Sequence, residues 1–360
     1  MLSEWFMTRY FIKFVYNKSF QFNKLNYRKF STLSMKMSSV KIGTHNGIFH
    51  CDEVLACCML KILPEYKDAE IVRTRELSIL ETCDVVVDVG DIYDPKIHRY
   101  DHHMKTFSET ISTVLKNPNY NSTIKLSSAG LIYCHFGHRI IKQLFPEITE
   151  EDTEAVFTKV YDNLITEIDA LDNGVSMTVD EPVYRIVTDL SSRVGKLNPP
   201  WNSNLNQTTQ FTEALNLVRE EFLSFVNDCV HIWLPCKVIV EAAIQNRFQV
   251  DSSGEIIKLS QACPWKEHFF AIEKHLNLEP IIKFVIFYNN NYMVQAVPVK
   301  PGSFVLRKTL PAKWGGLRNE KLVEVSGIKE CVFVHVNLFT GGNKTEEGAM
   351  QMAREGLKIE

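Results

Sequence analysis

Apolar residues gather along this chain in short runs separated by stretches of helical length. Residues 40–44, 70–74 and 84–89 read as strands, the last built on Val85-Val86-Val87. Between the first two, residues 52–63 have the length and apolar content of a buried helix, ended by Pro64. Strands that alternate with helices predict a parallel sheet with both faces covered. In such sheets ligands bind beyond the carboxyl ends of the strands.

Further along, residues 116–125 read as a loop around Asn117-Pro118-Asn119. Ser127-Ser128 caps a helix that runs to Leu144 and stops before Pro146. Residues 153–169 form a further predicted helix, closed by Asp172-Asn173-Gly174. Residues 197–209 are rich in Asn and Pro, which marks a linker, and 211–230 form a long connecting helix. Beyond it the pattern changes. Strands are predicted at 237–242, 255–259, 281–288, 292–298 and 331–336, with Asn289-Asn290-Asn291 as a hairpin turn. Residues 345–357 close the chain as a helix. The expected fold class is α/β: a parallel-sheet domain over 39–196, a linker and connecting helix over 197–230, and a smaller α/β domain with a mixed sheet over 231–360.

Composition narrows the class. An apolar fraction of 45% and a charged fraction of 23% over 360 residues fit a globular protein of one large or two ordinary domains. No run of about 18 apolar residues occurs, so no transmembrane helix and no membrane partner are expected. The nine cysteines lack CxxC spacing and read as reduced core thiols of an intracellular protein. The first 38 residues carry seven basic side chains and a single acid, Glu4, with aromatic and Ser/Thr residues between them. This leader reads as a mitochondrial presequence; Arg9, Lys13 and Lys18 break the apolar core that a secretory signal needs. Met35 and Met37 offer alternative starts that would leave the same enzyme without its leader, in the nucleus, nucleolus or cytosol. The remainder holds 33 basic and 42 acidic residues, a net −9, which excludes a globally basic nucleic-acid footprint. Binding of a nucleic acid would then rest on a local groove and on metal ions.

The candidate chemistry lies in clusters of His and Asp beside predicted strand ends. His45, His50 and Asp52 flank an Asn46-Gly47 turn, Asp88 ends the valine strand, and Asp101-His102-His103 follows. Imidazole and carboxylate together suit a divalent ion such as Mn²⁺ or Zn²⁺. Their number exceeds what one tetrahedral ion needs, and two close ions clamp the attacking and leaving oxygens of a phosphoester. Asp88 at a buried strand end is costly unless paired or metal-bound, and is placed to bridge two ions. His102 reads as a direct ligand, His103 as a ligand or a phosphate contact, and Asp101 as the group that orients an imidazole. Asp169 and Asp172 share a helix face near its C-terminus, where acids oppose the helix dipole and a cation would relieve them. Either can be the ligand, with Asp169 preferred. Phe339-Thr340-Gly341-Gly342-Asn343 reads as a glycine-rich opening of the last helix, an anion site. Arg307, Lys308, Lys313, Trp314 and Arg318 add groups that grip phosphate and stack a base.

Together these motifs resemble the DHH phosphoesterase superfamily, through Asp101-His102-His103, and more closely the melanocyte proliferating gene exonuclease family. The match runs in order from residue 40 to the end. It is carried by Gly43-Thr44-His45-Asn46-Gly47-Ile48-Phe49-His50-Cys51-Asp52-Glu53, Val87-Asp88-Val89-Gly90, Tyr100-Asp101-His102-His103, Asp169-Ala170-Leu171-Asp172-Asn173-Gly174 and Trp314-Gly315-Gly316-Leu317-Arg318. The superfamily implies a DHH-type parallel-sheet catalytic domain, a smaller C-terminal domain and a cleft with two divalent ions, usually Mn²⁺. The family implies a 3′→5′ exonuclease on single-stranded RNA, acting in mitochondrial and nuclear RNA processing. Two departures stand out. His50 occupies the place of the superfamily's first motif Asp, and Asn343 follows the glycines where the superfamily has His.

The expected enzyme is thus a metal-dependent phosphodiesterase. His45, His50, Asp52, Asp88, His102 and Asp169 hold two ions, Mn²⁺ with Mg²⁺ or Zn²⁺ as alternatives. Asp88, Asp101, His102 and His103 carry the chemistry, and Arg307, Lys313, Arg318, Gly341, Gly342 and Asn343 hold the RNA end. The runner-up is a phosphoesterase acting on pyrophosphate, short oligonucleotides or cyclic dinucleotides. A non-catalytic, metal-containing RNA-binding protein is the third reading.

Overall fold

A computed structural model of the chain describes residues 39–359, Pro280 apart. The basic leader and the alternative starts at Met35 and Met37 lie outside the described residues. Two five-stranded mixed sheets, joined through a long helix, make up an α/β fold.

The first sheet begins with β1 (Lys41–Thr44), followed by α1 (Cys51–Leu60) and β2 (Glu70–Arg73). β3 (Val85–Val87) and the short β4 (Tyr93–Asp94) and β5 (Arg99–Tyr100) complete it in the order β2-β1-β3-β5-β4. β2, β1, β3 and β5 are mutually parallel, and β4 adds one antiparallel edge. All three valines of β3 are buried, as a strand covered on both faces requires. On one face α1, buried at all ten positions, packs with α2 (Ser128–Leu144) in the main core. On the other, Leu80, Cys83, Val86 and Val89 form a small cluster. α2 starts where Ser127 accepts a hydrogen bond from the Gly130 N–H, the cap that the sequence indicates.

The helix expected over 153–169 is a composite. A helix over Glu150–Val160 passes through a π turn at Tyr161–Ile165 into α3 (Thr166–Asp172). The π turn inserts a residue and rotates the face that follows. After it, Ile168 and Asp169 are buried.

α4 (Gln207–Asp228) continues through a second π turn into α5 (Cys236–Gln245). The strand expected over 237–242 is therefore helix. Its apolar run Val238-Ile239-Val240 fits either period, and Val240, Ala243 and Ile244 pack inward at helical spacing. The stretch Gln207–Gln245 is long and apolar enough to cross a bilayer by length and composition. Here Phe211, Ala214, Val218, Phe222 and Val226 enter the first core, and the α5 residues enter the second.

The second sheet runs β6 (Ile256–Lys258), β7 (Phe284–Asn289), β8 (Asn291–Ala296), β10 (Thr340–Asn343) and β9 (Cys331–Val334) in spatial order. One parallel pair, β6–β7, adjoins three antiparallel ones. Along β7, Phe284 and Ile286 face one cluster and Val285 the other, the period-2 pattern of a sheet covered on both sides. α6 (Lys266–His275) covers one face and α7 (Glu346–Leu357) the other. The glycine run is a strand here and not the opening of a helix. α7 starts three residues later, capped by Thr345. A Cβ on Gly341 would meet Met352 Cε at 2.8 Å, and one on Gly342 would meet Phe333 Cε1 at 3.0 Å. Close packing explains these glycines.

Candidate metal centre

The site forms at the carboxyl ends of β1 and β3, where the loops to α1 and β4 leave the sheet. The first loop carries His45 and His50 around Gly47, whose φ of +87° suits a residue without a side chain. Asp88 directly follows β3 with φ +59°, the left-handed conformation that Asp tolerates better than most residues.

Asp88 sits at the centre. Its Oδ2 is 3.4 Å from His45 Nε2, and its Oδ1 is 3.3 Å from His102 Nε2 and 3.5 Å from His103 Nδ1. On one side, His45 Nε2 is also 3.1 Å from Glu53 Oε1. Glu53 in turn accepts the His50 N–H at 3.0 Å. On the other, His102 Nε2 is 3.0 Å from Asp172 Oδ2 and 3.8 Å from Asp52 Oδ2. Three ligand sets result: His45, His50 and Glu53; Asp88, His102 and His103; Asp52, His102 and Asp172. Within each, the donor atoms lie within 4.8 Å of one another.

Asp101 stands behind this cluster. Its Oδ1 accepts the backbone N–H groups of His102 and His103 and the His103 Nδ1–H at 2.7 Å, and its Oδ2 accepts the Asp91 N–H. Burial would raise the Asp101 pKa, but His103 and the backbone donors hold it below the ordinary value. An ionised Asp101 makes Nδ1 of His103 the donor, which leaves Nε2 of this half-exposed ring turned to other partners.

Asp169 and Asp172 take different parts. Asp172 joins the cluster, while Asp169 lies buried beneath it, accepts the Ser127 N–H at 2.9 Å and shares the single Ser127 hydroxyl with Asp52, its Oδ1 2.8 Å from that Oγ. Burial pushes the Asp169 carboxyl up to about 7. Asp52 serves two ends at once. Besides facing His102, it lies 2.6 Å from the shared Ser127 Oγ and accepts hydrogen bonds from the Ser128 and Ala129 N–H groups at the start of α2. Burial, with Asp88 and Asp172 nearby, raises Asp52 well above the ordinary carboxylate range. Asp88 moves the other way. Burial opposes ionisation, but His102 and His45 overcome it and hold this carboxyl far down. For His45 burial favours the neutral ring, and Asp88 and Glu53 outweigh it and raise the pKa to about 10. Asp172 and Asp88 raise His102 likewise to about 10.

The donor set fits a divalent cation. His102 is buried, and neither of its ring nitrogens has an aligned hydrogen-bond partner among the described residues. Its Nε2 lies within 3.8 Å of three carboxylates, yet not on a hydrogen-bonding line to any of them. A buried nitrogen surrounded by acceptors and directed at none is poorly served by a proton alone. Mixed imidazole and carboxylate suit Mn²⁺ or Zn²⁺. Without a metal, protons on His45 and His102 supply the positive charge. Beside the cluster a cleft of about 290 Å³ opens between Phe49, His50, Asp52, Leu171, Asp172 and Ser191.

His45, His50, Asp52, Asp88, Asp101, His102 and His103, all expected at the site, come together here. Glu53, outside the expected ligands, joins them, and its place three residues after His50 at the first turn of α1 is its signal in the sequence. The expected RNA grip is dispersed. Arg307 is buried in a bidentate pair with Glu273, at 2.6 and 2.5 Å. Gly341 and Gly342 are inside the second sheet. Asn343 is buried, donates to the Lys329 carbonyl and accepts from Thr345 N and Oγ1. Trp314 is core. Lys313 and Arg318 remain at the surface, Arg318 over the Phe333 ring.

An α/β protein with a buried His–carboxylate cluster at a sheet edge is a candidate metallohydrolase. The chain belongs to the MYG1 family. The family's model, described as an uncharacterised protein family (UPF0160), matches residues 41–357. The chain is 50% identical to the human protein named MYG1 exonuclease over 332 residues, 90% of this chain and 87% of that one. It is 49% identical to the rat MYG1 exonuclease, over 89% of this chain and 85% of that protein. With the MYG1 protein of Dictyostelium discoideum it shares 44% identity, over 89% of this chain and 97% of the relative. No solved structure matches it. The names of the relatives support a nuclease-type function.

Proposed function

We propose that this chain is a metal-dependent phosphodiesterase of the DHH type that removes nucleotides from the 3′ end of single-stranded RNA. The observation that carries the hydrolase reading is the convergence of the three ligand sets on Asp88, whose two oxygens face His45 on one side and His102 on the other. His45, His50 and Glu53 fit one divalent ion; Asp52, His102 and Asp172 fit a second; Asp88 lies between them. Such a pair, when bound, supplies positive charge to the attacking and leaving oxygens of a phosphodiester. His103, held through Nδ1 by Asp101, presents Nε2 to a non-bridging phosphate oxygen. Lys313 and Arg318 offer surface cations to the rest of the strand. The exonuclease names of the human and rat relatives support a nucleic-acid substrate, and the basic leader supports delivery to the mitochondrial matrix. Starts at Met35 or Met37 would supply a nuclear or cytosolic pool.

The test is 5′-labelled single-stranded RNA with the full chain and Mn²⁺, with a chelator control and Asp88→Asn. A ladder that shortens from the 3′ end, lost with chelator and reduced at least 100-fold in the variant, is the expected result. The cleft volume and the acidic charge favour a second reading, a phosphoesterase for pyrophosphate or dinucleotides. Turnover of those with no RNA ladder would put it first.

A further inference from the structure

Trp201 is 96% exposed, the most exposed aromatic side chain among the described residues. A single exposed apolar side chain needs no explanation; the position of this one does. Asn198 clasps Phe49 from both sides, accepting the Phe49 N–H at 2.9 Å and donating to its carbonyl at 2.8 Å. Gln207 donates to the Gly47 carbonyl. The segment 198–207 is thus tied at both ends to the loop that carries His45 and His50. Trp201 is three residues from the first tie, within about 10 Å of extended chain. Ile48, on the same loop between the two tied residues, is 68% exposed. Ser191 and Gly195, just ahead of Asn198, line the cleft beside Asp172.

We propose that Trp201 is a specificity-determining residue that stacks on an unpaired nucleobase of the substrate while its phosphodiester lies in the metal centre. This rests on the phosphodiesterase reading above and adds what that site recognises besides phosphate. The cluster and its ions deal only with charge and would accept any phosphodiester. A flat, polarisable ring on a segment tied to that loop discriminates in favour of substrates with an aromatic base. Base–aromatic stacking tolerates every base, because each has a π face. Trp314, the aromatic that the sequence suggested for this task, is in the core and cannot take it.

The test separates base recognition from chemistry. Binding of a short fluorescein-labelled phosphorothioate oligoadenylate, which resists cleavage, is followed by anisotropy with Mn²⁺, with wild type, Trp201→Ala and Trp201→Phe. Trp201→Ala should weaken binding about tenfold, with Trp201→Phe recovering most of it. With Mn²⁺, the ratio of kcat/KM for the oligonucleotide to that for bis-p-nitrophenyl phosphate should fall similarly in Trp201→Ala, through KM. Unchanged binding and an unchanged ratio, with an active wild type, overturn the role of Trp201 and leave the phosphodiesterase intact. A wild type inactive on both substrates overturns the phosphodiesterase reading and this inference with it. If Trp201→Ala instead turns a sedimenting dimer into a monomer with the ratio unchanged, the ring is a contact between copies and the proposal fails.

Discussion

At the scale of single residues, chemically alike side chains are set apart by their neighbours. Asp88 and Asp52 both face His102, yet Asp88 is held ionised by two imidazoles while Asp52 is pushed toward its protonated form by burial and two acids. Asp169 offers the cleaner test of such a shift. Its folded pKa of about 7 lies above the ordinary 3.8. The fold therefore favours its protonated form, and the stability it contributes falls as pH rises from about 4 through 7. Asp169→Asn, which cannot ionise, should gain in melting temperature relative to wild type across that window. Melting curves of the metal-free proteins between pH 4 and 8 decide this; a difference independent of pH would refute the shift. Asp169 was the preferred ligand in the sequence, and Asp172 stood beside it. Spacing put both on one face of a helix, but only the packing shows that Ser127 takes Oδ1 of Asp169 while Asp172 Oδ2 faces His102.

At the scale of elements, the start of α2 is the support on which the site rests. Ser127, Ser128 and Ala129 hold Asp52, and Ser127 is itself held by Asp169. Gly130 lets that acid come close: a Cβ there would lie 2.3 Å from Asp169 Oδ1. Gly130→Ala should displace Asp169, loosen Ser127 and cost about 1–3 kcal/mol by overpacking. Urea unfolding with wild type as reference measures it, and a loss under 0.5 kcal/mol would show that the carboxylate moves aside freely. The Ser127 cap, α1, β1 to β3 and the β7–β8 hairpin were legible from periodicity and caps. The helix over Cys236–Gln245 and the strand β10 were not. A short apolar run fits both periods, and a pair of glycines inside a sheet looks in sequence like a turn.

At the scale of the molecule, two sheets share one helical spine, and the charged centre lies on the first of them. Asp52, Glu53, Asp88 and Asp172 crowd there with protons on His45 and His102 as the compensating charge. A divalent cation should bind the native state, displace those protons and stabilise the fold. At a hundred times its Kd the gain is about 2.7 kcal/mol, a rise of several degrees in Tm. Because His45 and His102 titrate near 10 in the metal-free fold, affinity should increase with pH from 6 to 9. Calorimetric titration with Mn²⁺ at several pH values reads both effects. Asp172→Ala should lower the affinity at least tenfold, and wild-type affinity in that variant would remove Asp172 from the centre.

What the sequence determined by itself was local and chemical. Runs of valine and helix caps set the elements of the first sheet, and the order of His and Asp along the chain marked the loops that carry the site. Those signals are short-range, written within a few residues of where they act. What only the tertiary structure decided was the choice among equivalent groups. Asp172 faces His102 while Asp169 holds Ser127; Glu53 turns to His45; Arg307 is taken by Glu273; Trp314 is buried and Trp201 is not. Each depends on which surfaces meet when remote segments pack, such as Asn198 on Phe49 or Ser127 on Asp169. A side chain's burial and partners are properties of that meeting, and no local pattern encodes them.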